Sequence, residues 1–458
     1  MDQLFLDRSD VKALNERRTW RQRKRVCHIP EKGLYFGLRG QVFTCCFNKT
    51  FPVGNYPSQS IQEIWEGVQI QEQRKAIKNW DLSKGCAGCH SLIKSRNING
   101  LPIRNYDQYA GRNKGMPSKM DFELYNTCNL ECIMCRGEFS SSIRKNREQL
   151  PPIVSPYDTA FYDQVEAFLP TLKSSHFLGG EPFLIPEYID LWDRMATINP
   201  KISLSAQTNC TVLNQRVKDI LNRIDFHISI SLDSVDPDNF ARIRKNGKFE
   251  RVIENLKWFR AYTQQRGTLL TMAMCPMPQN WHELPNAIEF CNEWEMPLMF
   301  TTVEAPSHCS LQALPYDELA KIYAQLNTFT PAASTPLQKQ NQESYLDLLS
   351  QIEKWANMAK TKEESGVTAP AENLKEYISQ LTLLLQKEHS KMEASNIANE
   401  IRDKLNFVLD FADEKGLRSS AEEKIIATPH ELMLRSVPGL ERDQLLQLFQ
   451  SYVMPLEE

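Results

Sequence analysis

From about residue 120 the chain alternates between two kinds of pattern. Short runs rich in β-branched and aromatic residues are separated by longer stretches with apolar positions at helical spacing. The short runs are 121–125 (DFELY), 175–178 (SHFL), 202–206 (ISLSA), 226–232 (FHISISL), 269–274 (LLTMAM) and 298–303 (LMFTTV). Between the last runs, Phe249, Val252, Ile253, Leu256 and Phe259 fall on one helical stripe, and a second helix is expected over 281–295. Six strands alternating with helices predict parallel β/α units, with helices on the outside. The chemistry of such barrels sits at the C-terminal ends of the strands and in the loops after them. Residues 101–119 are polar and carry Pro and Gly, so they read as a linker. Beyond 311 Gly is almost absent; ESYLDLLSQIEKWANMAK and LKEYISQLTLLLQKEH predict long helices, with a loop at 361–371 between them.

Composition narrows the class. The 458 residues allow two to four domains at ~100–200 residues each. Hydrophobic residues make up 41% and charged residues 24%, an ordinary globular balance. With 54 Lys and Arg against 57 Asp and Glu, the net charge is −3, which argues against a nucleic-acid partner held by charge alone. The basic run 17–25 (RRTWRQRKR) reads as a solvated face. No run is long and apolar enough for a membrane span, and the N-terminus lacks the apolar core of a signal peptide. A cytoplasmic location is therefore expected. In a reduced compartment, clusters among the 12 cysteines point to metal or redox chemistry.

The cysteines do cluster. Cys128, Cys132 and Cys135 stand in YNTCNLECIMCRGE, immediately after the first predicted strand. With 12 cysteines in 458 residues, a chance C-x3-C-x2-C is expected only about 0.01 times. Three thiolates at that spacing can hold one [4Fe–4S] cluster and leave its fourth iron without a protein ligand, open to a substrate. The bland alternative is three ligands of a zinc site.

This segment resembles the signature of the radical S-adenosylmethionine (SAM) enzymes, a C-x3-C-x2-C after the first strand of a partial (β/α)6 barrel. The resemblance implies that Cys128, Cys132 and Cys135 carry a cluster whose open iron is chelated by SAM. One electron then cleaves the sulfonium bond, and the resulting 5′-deoxyadenosyl radical abstracts hydrogen from a substrate. Other SAM-binding residues follow by resemblance. Gly179, Gly180 and Glu181 match the family's GGE motif near the methionine amino group. Ser229, Ser231 and Asp233, ending the fourth strand, are candidates for contact with the ribose or methionine part. Arg244 resembles a position that reaches the cofactor carboxylate, and Met134 stands where many members pack an aromatic on adenine. Gln207 and Asn209 end the third strand and either face the site or close a turn.

Upstream, Cys27, Cys45, Cys86 and Cys89, with the hairpin GLYFGLRGQVFTCC, resemble the twitch part of a SPASM auxiliary-cluster module. The further cysteines of a full SPASM module are absent after Cys89, so one auxiliary [4Fe–4S] cluster is implied. Cys46 is its neighbour's competitor; spacing from Gly40 favours Cys45. Relatives carry this module after the barrel, whereas here it precedes it. It is still expected to dock at the barrel's open end. A zinc ribbon is the alternative reading of these four cysteines.

The fold expected is therefore α/β: a partial (β/α)6 TIM-like barrel with a small N-terminal α+β iron–sulfur module and a helical C-terminal region. The boundaries are an N-terminal extension 1–20, the twitch module 21–100, the linker 101–119, the barrel 120–310 and the helices 311–458. Cys275 and Cys309 follow the fifth and sixth strands and are candidate hydrogen or proton donors, though a buried thiol is the preferred reading of both. By resemblance the substrate is a peptide or protein, oxidised or crosslinked, with dehydrogenation of a sugar or other small metabolite as the alternative. A flavodoxin or ferredoxin is the implied electron donor. The rival from another class is a non-catalytic zinc-binding interaction protein.

Overall fold

The structure is a computed structural model. It describes residues 4–364, 374–386 and 390–414, apart from 49, 97, 99 and 112–114, and four isolated positions beyond 414. The chain divides into two compact units, 2–356 and 357–458.

The first unit is built on one nine-stranded sheet. Its strands are β1 (Gly33–Phe36), β2 (Gln41–Phe43), β3 (Gly54–Asn55), β4 (Lys119–Phe122), β5 (Ser174–Phe177), β6 (Ser203–Thr208), β7 (Phe226–Ser231), β8 (Leu270–Met274) and β9 (Leu298–Phe300). The order is β3-β2-β1-β4-β5-β6-β7-β8-β9. From β1 to β9 every neighbouring pair is parallel, while β1–β2 and β2–β3 are antiparallel. The six strands from β4 onward are the six read from the sequence. The first begins and ends two or three residues earlier than expected, because 123–127 already belongs to the cysteine loop.

Each barrel strand has two unlike faces. Met120, Phe122, Phe177, Leu204, Ala206, Ile228, Ile230, Met272 and Met274 point to the helices and are no more than 1% exposed. Behind them aromatic rings fill the layer: Trp192 meets Phe177 at 5.2 Å and Phe226 at 5.0 Å between centroids. Each such buried Leu, Ile, Phe or Met side chain contributes about 1.5–3 kcal/mol. The opposite, concave face carries Asp121, His176, Ser205, Gln207, Ser229, Ser231 and Thr271. All but Asp121 keep some exposure.

The edge strand β9 is covered from within this unit. Asn341, in the helix Pro336–Glu364, is fully buried; its Oδ1 accepts from the Leu298 N–H at 2.8 Å, and its Nδ2 donates to the Met296 carbonyl at 3.0 Å. A side chain thus takes the place of a further strand.

The N-terminal module does not cap the open end of the barrel, as the sequence led us to expect. Its hairpin continues the sheet from the β4 edge. Tyr35 pairs with Phe43 and Gly33 with Lys119, so Cys45, two residues past β2, lies level with the N-terminal end of β4. Phe36 welds the join, stacking on Phe122 at 5.6 Å and meeting Phe161 at 5.1 Å. Nor is 101–119 a free linker: Leu101, Ile103 and Tyr106 are buried in the module's core.

The second unit contains the helices Leu374–Leu385 and Lys391–Glu414, which share a core of Tyr377, Leu381, Ile401, Leu405 and Val408. The loop expected at 361–371 is helical as far as Glu364, and the rest of it lies outside the described residues.

Candidate active site

Two sets of thiols stand at opposite ends of the strands. The first hangs on the loop after β4. Ser140 caps the helix Ser141–Asn146 that follows. Ser141 Oγ accepts from the Cys128 N–H at 3.2 Å, and Ser142 Oγ donates to the Cys128 carbonyl at 2.7 Å. The loop's far side is tied to the end of the helix Pro237–Ile243: Glu131 N–H donates to Lys245 and Ile133 N–H to Ile243. Arg147 donates to the carbonyls of Cys132 and Cys135. These anchors bring Cys128, Cys132 and Cys135 within electrostatic reach of one another.

Burial pushes the Cys128 thiol up to about 11 and the Cys135 thiol to about 12. Such thiols stay protonated at neutral pH unless a metal displaces the proton. Two donors already point at the sulfurs: Asn209 Nδ2 lies 3.8 Å from Cys128 Sγ, and Arg244 Nη1 lies 3.9 Å from Cys132 Sγ. N–H groups directed at thiolate sulfur are what tunes an iron–sulfur cluster. Among the described residues no three His, Cys, Asp or Glu side chains are grouped for a single metal ion. A cubane asks for something different, since each thiolate binds its own iron. The thiol-only donor set fits that group.

Around this loop the GGE segment is set by backbone geometry. Gly179 and Gly180 have φ of +82° and +46°, and a Cβ on Gly180 would meet the Thr127 carbonyl oxygen at 2.1 Å. Only glycine lets this turn press so closely on the cysteine loop. Glu181 is fully buried. Its carboxylate accepts from Thr208 Oγ1 at 2.7 Å, from the Asn209 N–H at 2.6 Å and from the Phe183 N–H at 3.2 Å. It therefore knits the end of β6 to the turn after β5, and burial lifts its pKa to about 7.

Asp233 and Arg244 form a buried ion pair at 2.7 Å, close but without hydrogen-bond geometry. The other Asp233 oxygen accepts from the Cys275 N–H at 2.8 Å. Asn280, fully buried, donates to the carbonyls of Asp233 and Cys275, so it closes this turn. Met134 and Ile133 pack with Cys275 against Ile243, Met277, Val303 and Cys309. Cys309 and Cys291 are fully buried, and Cys210 sits buried at φ +62°. Ser229 and Ser231 line the concave face, where Ser231 Oγ accepts from Gln207 at 3.2 Å.

The second set is Cys27, Cys45, Cys86 and Cys89. Cys86 immediately precedes the helix Ala87–Lys94, which puts it and Cys89 at the first turn. The four share one core with Ile77, Leu82, Ile93 and Tyr106, and each of Cys27, Cys45 and Cys86 senses the charge of others in the set. Burial pushes Cys45 up to about 12 and Cys89 to about 11. Cys46 lies outside this core, near Lys119 and Tyr106. Tyr106 is within electrostatic reach of Cys45 and Cys27 of this set and of Asp121 on the concave face.

The residues sequence reasoning missed are Arg147, Ser141, Ser142 and Tyr106. Of these only the serine run before a helix carried a local signal, that of an N-cap.

Comparison with known proteins bears on both sets. Residues 122–291 match the radical SAM superfamily, and residues 27–90 match an iron–sulfur cluster-binding domain, SPASM. The chain carries a radical SAM domain and a SPASM-type module. It is an enzyme whose domains imply a [4Fe–4S] cluster with SAM and an auxiliary iron–sulfur centre.

Among individual proteins, a probable GTP 3′,8-cyclase of Methanocaldococcus jannaschii is 29% identical over 177 residues, 37% of this chain and 53% of that protein. The GTP 3′,8-cyclase of Pseudomonas putida F1 is 24% identical over 192 residues, 41% of this chain and 54% of its own. The chain thus spans about half the length of the curated relatives it matches. Among solved structures, Streptococcus suis SuiB bound to the precursor peptide SuiA is similar at 16% identity and a TM-score of 0.35, covering 60% of this chain and 53% of that one. No helix among the described residues is long and apolar enough to cross a membrane.

Proposed function

We propose that this enzyme oxidises or crosslinks a side chain of a peptide or protein. The observation that carries this reading is the concave strand face between the two thiol sets. It is polar from β4 to β7, turns apolar at Ala273 and Met299 on its β9 side, and keeps some exposure: Gln207 is exposed and Met299 is 56% exposed. An extended chain can lie along such a face, whereas a small metabolite needs an enclosing pocket.

In this reading Cys128, Cys132 and Cys135 hold the SAM-binding cluster, and Cys27, Cys45, Cys86 and Cys89 hold the auxiliary one. With SAM bound, the first supplies the 5′-deoxyadenosyl radical that takes hydrogen from the substrate. Gly179 and Gly180 let the backbone approach SAM closely. Met134 would pack on its base, and Ser229 and Ser231 would offer hydroxyls to it. Asp233 acts at one remove. Its pairing fixes the guanidinium of Arg244, whose Nη1 then lies 3.9 Å from Cys132 Sγ. Glu181 holds the end of β6 in place, and with it Asn209 at Cys128.

Mass spectrometry of candidate peptides incubated with reduced, cluster-loaded enzyme and SAM tests the substrate class. A peptide that loses hydrogen, with 5′-deoxyadenosine formed, supports it. Parallel incubations with GTP and with sugar alcohols supply the contrary result: turnover of one of these, and none of any peptide, would replace the peptide reading.

A further inference from the structure

The N-terminal module carries a concentration of charge that neither thiol set explains. Residues 17–25 hold six cations and no acid. The structure divides them. Arg18 is turned inward, 4% exposed, and meets both carboxylate oxygens of Asp107, with Nε at 3.1 and 3.0 Å and Nη2 at 2.5 Å. Its Nη1 donates to the Arg25 carbonyl at 3.0 Å, and Arg23 Nε donates to the Arg18 carbonyl at 2.6 Å. The Gln22 carbonyl faces His28 Nε2 at 3.0 Å, and Gln22 Oε1 accepts from the Thr19 N–H at 2.7 Å. The segment is therefore pinned from inside.

Pinned this way, it presents Arg17, Arg21, Arg23 and Lys24 to solvent around an exposed tryptophan. Trp20 is 66% exposed, with the Lys24 ammonium 4.6 Å and the Arg21 guanidinium 5.2 Å from its ring centroid. The same surface continues past Arg25 into a cavity of about 500 Å³, where Arg25, Arg74, Lys75 and Lys78 outnumber Glu31 and Glu66. There Arg74 Nη2 is buried without a hydrogen-bond partner. In all, eight cations (four exposed, four in the cavity) face two acids, a local excess of six on a chain whose net charge is −3. Cys27, in the second thiol set, follows two residues after Arg25.

We propose that this face docks an acidic electron-carrier protein at the module's thiol centre, an inference that rests on reading that centre as an iron–sulfur cluster. Two features select this partner. A redox carrier must come close to the metal, and Cys27, a buried thiol of that centre, lies two residues along the chain from Arg25 of this surface. Redox encounters are also small, and charge steers them by complementarity. Single-stranded nucleic acid would ask for successive stacking aromatics, and here Trp20 stands alone in the run. A pinned loop loses little entropy on binding, so a short-lived complex forms without reorganisation.

The test uses the full-length, cluster-loaded enzyme and an acidic flavodoxin as probe. Binding is measured at two salt concentrations for the parent and for the triple variant Arg17→Glu, Arg21→Glu, Lys24→Glu. Trp20→Ala is the gentler second variant. The triple variant should raise the Kd at least about tenfold and flatten its salt dependence, and Trp20→Ala should raise it about threefold. Iron content and dithionite-driven formation of 5′-deoxyadenosine should not change in either. Unchanged flavodoxin affinity in the triple variant, with clusters intact, overturns the docking surface and leaves the cluster reading standing. Tighter binding of a single-stranded DNA oligonucleotide than of flavodoxin, lost in the same variant, also overturns it. A parent protein without iron and sulfide would instead sink the cluster reading and this inference together.

Discussion

Glu181 makes the stability of the barrel depend on pH in a direction opposite to that of most carboxylates. Its folded pKa is about 7, against an ordinary 4.5, because burial outweighs its hydrogen bonds from Thr208, Asn209 and Phe183. A raised carboxyl binds its proton more tightly in the folded state. Stability from this group is thus fully present below the unfolded value and is lost as pH rises through the folded one. Between the two values the slope is about −1.4 kcal/mol per pH unit, which integrates to roughly 2.5 kcal/mol between about pH 5 and about pH 8. Glu181→Gln removes the titration and keeps the shape. It also adds a constant offset, because its amide N–H meets a main-chain N–H. Urea unfolding of both proteins at several pH values separates these effects. The difference in stability, parent minus variant, should fall by roughly 2–3 kcal/mol over that range, about 1 M in midpoint. A difference that stays flat, or rises with pH, would refute the argument that burial controls this carboxyl.

Three further outcomes follow from the site. Arg244→Met leaves the Asp233 carboxylate buried with one N–H partner, so urea unfolding should show a loss of about 3–5 kcal/mol, whereas Arg244→Lys should lose less. Gly180→Ala forces a Cβ to within 2.1 Å of the Thr127 oxygen at a left-handed φ, and should lower the melting temperature and SAM affinity together, with Gln264→Ala as the exposed-site control. Replacing Cys27 and Cys86 by Ser should halve the iron of the reconstituted protein, from roughly eight per chain to roughly four, as read by iron and sulfide analysis.

Much of this was legible in the chain. Strands such as β6 and β7 could be placed because they alternate between a helix-facing apolar residue and a polar one, as in Ile228, Ser229, Ile230 and Ser231, while β9 (Leu298–Phe300) was legible only as a short apolar run. The cysteine triplet announced itself by spacing. What the sequence did not carry was the pairing of β1 with β4, since parallel partners 86 residues apart (Gly33 and Lys119) leave no local mark. The position of the auxiliary set at the N-terminal ends of the strands follows from that pairing, and so could not be read either. The same holds for Arg244 and Asp233. Each reads as a free polar group beside the cofactor, but the fold turns them on one another. Glu181 was placed by resemblance near a ligand's ammonium; in the structure its oxygens are taken by three donors of the chain itself. Tyr106 lay in a stretch whose polarity disguised its buried residues.

The central claim is that Cys128, Cys132 and Cys135 hold a cluster with one iron left for SAM. Its most direct test is the formation of 5′-deoxyadenosine by anaerobically reconstituted, dithionite-reduced protein, beside the triple variant with all three cysteines changed to Ala. The account predicts the nucleoside from the parent and none from the variant, which should keep its auxiliary iron. Nucleoside formed equally by both proteins would contradict it.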